Sequence, residues 1–230
     1  MYSRHRFSSE SISDCVWLYD TFPLSDRDIE QMRLYRGIAV TYESLQEGCQ
    51  KFGQQYAHQL RRKRPYLADK WHLNEVVVTL KGQPYYLWRA VASTGNVLEV
   101  LLQRHWDTDA AKRFFRKLLK QQGFVPRVMV TDQLKSDEAA KKQVMPSVEH
   151  RQHKGLNNRA ENSHQPTRVR ERRMQHFKSG GQAQRCLSAF ELIRGHFHPK
   201  QHELSAKRYR EQLHQRVEEW RDTACVKAAA

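Results

Sequence analysis

The hydrophobic positions change their period once along the chain. In SISDCVWLY, residues Ile12, Cys15, Val16 and Tyr19 fall at i, i+3, i+4 and i+7, one face of a helix. Phe22-Pro23 ends that helix. Ser25 is placed to cap a second, DRDIEQMRLY, which stops before Gly37. Thr41 is placed to cap a third, YESLQEGCQKFGQQYAHQL, whose interior Gly48 costs roughly 1 kcal/mol against alanine. Residues 9–60 therefore read as helical. From residue 74 the pattern shortens to that of strands. NEVVVTL and YYLWRAVA are joined by the turn Lys81-Gly82-Gln83-Pro84, and Ser93-Thr94-Gly95-Asn96 leads into VLEVLLQ. The amphipathic helix AAKRFFRKLLKQQG follows, ended by Gly123, and then VPRVMVTD, a nearly continuous apolar strand of the buried parallel kind. QLKSDEAAKKQ reads as helix, PSVEH as a brief strand, and NNRAENSHQPTRVRERRM as mostly helix, kinked or broken at Pro166. Two last helices cover about 182–194 and 205–221.

The order βββ-α-β-α-β-α is that of a ribonuclease-H-like fold: an α/β mixed sheet with three antiparallel strands, then parallel strands, and flanking helices. Ahead of it stands an all-α region. The expected division is a helix-turn-helix DNA-binding region over 1–60, a basic linker over 61–69, a ribonuclease-H-like core over 70–200, and a C-terminal helix and loose tail over 201–230. The first region fits an ordinary three-helix bundle equally well. The exposed face of its third helix shows Glu43, Gln46, Glu47 and Gln50, which is poor for meeting phosphates.

Charge narrows the class of partner. Forty Lys+Arg against 25 Asp+Glu leave a formal charge of +15, which points to a polyanion, nucleic acid above all. Cys15, Cys49, Cys186 and Cys225 lie far apart and form no CxxC pair, so zinc sites and disulfide frameworks are disfavoured and a reducing cytosol fits better. No apolar run approaches a membrane span, and MYSRHRFSSE lacks the apolar stretch of a signal peptide. The expected location is cytoplasmic. RNA-module signatures are absent, which argues against a general RNA-binding protein.

Three residues carry the candidate chemistry. In a ribonuclease-H-like sheet the middle of the first strand and the end of the fourth lie side by side, and these positions hold Asn74 and Asp132. The helix after the fifth strand brings Glu161 towards the same crevice. Carboxylates so placed hold hard cations such as Mg²⁺, and two ions about 3.5–4 Å apart can activate an attacking oxygen and stabilise a leaving one in phosphodiester displacement. Each residue also has a plainer reading: Asp132 as a helix cap, Glu161 as a solvated helix residue, Asn74 as a satisfied polar group in a strand. Glu75 cannot replace position 74, because consecutive strand residues face opposite ways. Arg61, Arg62, Lys63 and Arg64 of RRKRP form one basic group. Arg159, Arg168, Arg170, Arg172, Arg173 and Lys178 form another beside the crevice, suited to DNA phosphates.

WHLNEVVVTLKGQPYYLWRAV, VPRVMVTD, PSVEHRQHKGLNNRAENSHQPTRVRERRMQHFKS and QRCLSAF resemble the DDE transposases of bacterial insertion sequences, specifically family six of those elements. The resemblance covers nearly the whole chain. It implies Mg²⁺-dependent (or Mn²⁺-dependent) strand transfer, with two ions in an active member, in which a 3′-hydroxyl at the element's end attacks target DNA. It implies recognition of terminal inverted repeats by the N-terminal region, and a homodimer or higher assembly on double-stranded DNA. The family's triad falls on Asn74, Asp132 and Glu161, so the first catalytic aspartate is replaced. The family's pattern is also broken at Ala92, Gln133 and Ser136-Asp137-Glu138, and Gln46-Glu47-Gly48-Cys49 lacks the expected basic-aromatic character. The resemblance thus implies a transposase impaired by Asn74, with a catalytically inactive or domesticated DNA-binding protein as the alternative.

Overall fold

A computed structural model describes residues 2, 5–63, 69–93, 95–131, 135–152, 165–173, 177–199 and 204–225. The helical period near the start becomes α1 (Ser9–Thr21), α2 (Asp26–Leu34) and α3 (Tyr42–Lys63). Ser8 caps α1 by accepting from the Ser11 amide at 3.2 Å. Ser25 and Asp28 form a reciprocal capping box on α2, with bonds of 3.1 and 2.8 Å that satisfy two otherwise orphaned amides. The Thr41 hydroxyl accepts from the Ser44 amide at 3.4 Å where α3 starts. Residues 35–41 separate α2 from α3.

The chain divides into two units, one of Met1–Arg64 with Arg185–Ala230 and one of Pro65–Gln184. The division differs from the expected one at both ends of the core. Arg61, Arg62 and Lys63 are the last turn of α3 rather than linker, a placement the helix dipole favours for cations. At the other end, α7 (Gly180–Phe197) runs through the expected core, and its residues from Arg185 group with the N-terminal helices. Packing explains this. The Gln54 amide donates to the Arg185 carbonyl, and a Cβ added at Gly53 would lie 3.4 Å from Asp20 Oδ2 and 3.8 Å from Ala189 Cβ. These are ordinary contact distances, so α1, α3 and α7 lie packed together at Gly53. Val16, Ile29, Phe52, Tyr56, Leu187 and Ile193 are at most 1% exposed in this unit. Trp220 of α8 (Ala206–Thr223) closes the core, meeting the Tyr56 and Phe197 rings edge-on at 5.0 and 5.4 Å.

The second unit is a five-stranded sheet of order β3-β2-β1-β4-β5. Its strands are β1 (Lys70–Leu80), β2 (Gln83–Ala92), β3 (Val97–Gln103), β4 (Val128–Thr131) and β5 (Glu149–Gln152). β1, β2 and β3 pair antiparallel, and β4 and β5 continue from β1 in parallel. This is the ribonuclease-H-like order expected from the element sequence. The first hairpin turn is tighter than expected: only Lys81 (φ 49°) and Gly82 (φ 77°) separate paired Leu80 and Gln83, and Pro84 lies within β2. Positive φ at both central residues gives the twist that joins two right-handed strands.

Helix α4 (Thr108–Gln122) starts at the Asp107 cap and stops at Gly123, whose φ of 74° is the left-handed C-terminal conformation. Its Ala110, Ala111, Phe114, Phe115 and Leu118 are fully buried against Trp71, Leu73, Trp88, Ala90 and Met129. α5 (Lys135–Val144) adds Ala140 to the same cluster, and Met145 and Val148 extend it. α6 (Gln165–Arg173) carries Pro166 near the start of its described residues, and the expected kink or break there bears on residues 161–164, which lie outside them. Among the described residues, no helix is long and apolar enough to cross a membrane.

Candidate active site

Strand alternation gives the sheet two unlike faces. Trp71 and Leu73, the positions that share a face with Glu75, lie in the apolar cluster against α4. His72 and Asn74 point the other way. Asn74 is 8% exposed and stands directly opposite Arg89 of β2. β1 also pairs in parallel with β4, Trp71 with Met129 and His72 with Val130. β4 ends at Thr131, one residue before Asp132. Asp132 and Glu161 themselves lie outside the described residues, as do Arg64 and Arg159.

The amide of Asn74 is already engaged. Its Oδ1 accepts from the Glu75 backbone N–H at 2.8 Å. That oxygen is the one atom through which an asparagine could bind a cation, and it carries no formal charge. Among the described residues, no group of three His, Cys, Asp or Glu side chains could hold a metal ion. The donor chemistry at position 74 thus does not fit a site built on three carboxylates.

Opposite Asn74 the structure places a residue that the sequence reading passed over. Arg89 is 1% exposed, and its Nη1 donates to Thr167 Oγ1 on α6 at 3.3 Å. Thr167 and Arg170, one helical turn apart, are 2% and 1% exposed. The sequence shows only a charged residue inside the apolar strand YYLWRAVA; its place opposite Asn74 comes from the strand register.

The expected basic patch on α6 is split by the helical period. Arg168, Arg172 and Arg173 are exposed, and Arg172 Nε donates to the Arg168 carbonyl at 3.4 Å. Arg170 is buried, so it departs from the expectation of a surface phosphate contact. The reason is geometric: residue 170 shares its face with Thr167, against the sheet, while 168 and 172 turn outward. Lys178 is exposed. Of the earlier basic group, Arg62 and Lys63 are exposed and Arg61 is half-buried, with the Lys63 ammonium donating to Thr223 Oγ1 at 3.2 Å.

Two pairs flank the strand ends. His150 Nε2 lies 2.8 Å from Thr131 Oγ1, and burial together with the nearby Lys141 charge lowers the His150 pKa below the ordinary value. Where β1 and β4 begin, Arg127 Nε donates to Asp69 Oδ2 at 2.7 Å and holds that carboxyl below its usual range.

Residues 68–201, more than half of the chain, match the family DDE_Tnp_IS240, described as a DDE domain. The chain belongs to the DDE transposases of insertion sequences. It is similar to the transposase for insertion sequence-like element IS431mec of Staphylococcus aureus, 29% identical over 198 residues, 84% of this chain and 87% of the relative. Among solved structures, this DDE transposase is similar to the catalytic domain of Mos1 mariner transposase, with a TM-score of 0.41 and 10% identity over 76% of this chain and 92% of that one. It is also similar to the HTLV-2 integrase catalytic core domain in complex with magnesium, with a TM-score of 0.35 and 18% identity over 43% of this chain and 68% of that one.

Proposed function

We propose that this transposase binds double-stranded DNA at the terminal inverted repeats of its element, and that its line catalysed divalent-metal-dependent strand transfer. In this copy the transfer step is severely reduced by Asn74. The ancestral activity uses Mg²⁺ or Mn²⁺ held by carboxylates at positions 74, 132 and 161, on a homodimer or higher assembly over paired DNA ends. Membership of the DDE family supports that reading, and the +15 charge supports a DNA partner. The helix-turn-helix role of α2 and α3, the phosphate contacts of Arg168, Arg172, Arg173 and Lys178, and a cytoplasmic, nucleoid-associated location belong to the same proposal.

The observation that carries the reading of impaired chemistry is Asn74 itself. It occupies β1 beside the parallel strand that leads into Asp132, on the face opposite Glu75, with its oxygen bonded to a backbone amide. Two divalent ions facing two carboxylates instead of three are under-neutralised, and the amide offers no negative charge in exchange. Glu75 cannot compensate, because reaching the crevice would require a one-residue register slip.

The test is a joining assay with purified protein, inverted-repeat DNA, target DNA and Mg²⁺ or Mn²⁺. The native protein is expected to bind the DNA and join it very slowly, and Asn74→Asp to join it much faster, in a reaction abolished by chelation. Native protein that joins DNA at a rate Asn74→Asp does not improve would overturn the reading of impairment. A second reading, a DNA-binding protein without chemistry, is favoured by the same asparagine. It predicts specific inverted-repeat binding with no joining even after Asn74→Asp.

A further inference from the structure

We infer that Arg89 is a positioning residue of the transfer site, tying the strand next to position 74 to the helix that follows Glu161 in sequence. The inference rests on the site proposed above.

Arg89 lies across the antiparallel pair from Asn74, where paired side chains sit about 4.5–5.5 Å apart at Cβ. From β2 its guanidinium reaches Thr167 in the first turn of α6, at 3.3 Å, and both side chains are at most 2% exposed. Arg170, one turn further along α6, is buried on the same side. One cation thus spans from the strand beside one expected ligand position to a helix that follows another in sequence.

Packing alone does not call for an arginine here. Burying a charge is expensive, and an apolar side chain of similar volume would fill the space at less cost. What arginine adds is a rigid planar fork of five N–H donors, able to hold several groups at fixed separations. A lysine offers a point charge on a flexible stem and cannot fix the same geometry. An active site that must hold carboxylates at fixed separations gains from such a strut, because misplacements of an ångström weaken catalysis strongly.

The inference separates two kinds of damage. Loss of the tie loosens α6 locally. Loss of an ordinary core residue loosens the whole unit. Hydrogen exchange on the full-length native chain reads this directly, with Arg89→Lys keeping the charge and Thr167→Val removing the acceptor. Both are expected to accelerate exchange in α6 by about tenfold, the scale of one charge-assisted hydrogen bond, while α4 keeps its rates. Equal acceleration in α4 and α6, or an unchanged α6 in both variants, would overturn the inference. A second readout uses the Asn74→Asp protein. There Arg89→Lys and Thr167→Val are expected to lower kcat for joining and to leave KM for DNA in place, and a rise in KM with kcat unchanged would overturn the inference. If Asn74→Asp joins no DNA at all, the proposed transfer function fails on its own, and the exchange experiment still decides the role of Arg89.

Discussion

The two faces of one sheet carry opposite kinds of residue within the same strands. On one face Trp71, Leu73, Trp88 and Ala90 meet the buried aromatic rings of α4. On the other lie His72, Asn74 and Arg89, at most 8% exposed, with Arg89 bonded to the buried Thr167 of α6. Burial is alike and chemistry is not. The first face gains its stability from apolar area, which is non-directional and tolerant of exchange. The second buries charge and amide, which is costly unless every group is held by hydrogen bonds. A fold that keeps such a face is retaining it for placement of groups rather than for stability alone.

The difference is largest where packing is broken. Phe114→Ala, at a fully buried ring 6.0 Å from Trp88, is expected to destabilise the protein by about 3–5 kcal/mol, the usual range for deleting a buried aromatic. Denaturant unfolding followed by Trp fluorescence reads this. A loss near that of an exposed substitution would show that the α4 face is not the stabilising one.

Next comes Asn74→Asp, which changes charge on the polar face with almost no change in volume. Joining of inverted-repeat DNA is expected to rise roughly 100-fold or more, the scale of one electrostatic contact to a transition state. The matched control is Asn74→Asp with Glu75→Gln. Glu75 belongs to the other face, so the gain is expected to survive. If removing Glu75 abolishes it, the division of roles between the faces is wrong.

How much of this was legible in the sequence follows from the same division. The strands and their order could be read because apolar alternation is written into each segment: YYLWRAVA and VLEVLLQ declare themselves locally. The faces of Asn74 and Glu75 followed from the two-residue period. Arg89 did not stand out, because its meaning lies in register: only pairing β1 with β2 sets it opposite Asn74, and only the placement of α6 brings Thr167 to it. Arg170 was grouped with the exposed arginines because RVRERR is basic at nearly every position, and composition does not say which residue turns inward. The grouping of residues 185–200 with the N-terminal helices was hidden for a similar reason. It depends on long-range packing between helices far apart in sequence, such as the Gln54 bond to the Arg185 carbonyl, that no local pattern announces.

The two sides of α6 extend the comparison to DNA binding. Arg172→Ala and Arg173→Ala, on the exposed side, are expected to weaken DNA binding uniformly across sequences. Each phosphate left unneutralised should reduce the log–log salt slope by about 0.9. Arg170→Ala is expected instead to lower the unfolding midpoint and leave the slope of the folded protein in place. Fluorescence anisotropy over a salt series, paired with thermal melts, distinguishes them. A reduced slope from Arg170→Ala would mean that its guanidinium reaches the phosphates after all.

The smallest expected effect is a titration at the edge of the sheet. The folded pKa of His150 lies below its ordinary value of about 6.5, chiefly through burial. Protonation therefore favours the unfolded chain. The contribution of this group to stability is whole above about pH 6.5 and is lost as pH falls from there through the lower folded value. Half-burial screens the effect, so a modest decline in Tm is expected as pH falls below about 6.5. His150→Gln should flatten that part of the profile while keeping a partner within reach of Thr131. Thr131 is the last residue of β4 before Asp132, so the same substitution also asks whether the strand end must be held from β5 for joining to occur. If the Asn74→Asp protein keeps its joining rate with His150→Gln while the pH profile flattens, His150 serves the sheet and not the site. If joining falls at constant Tm, the polar face extends to β5, and the comparison between the faces must include it.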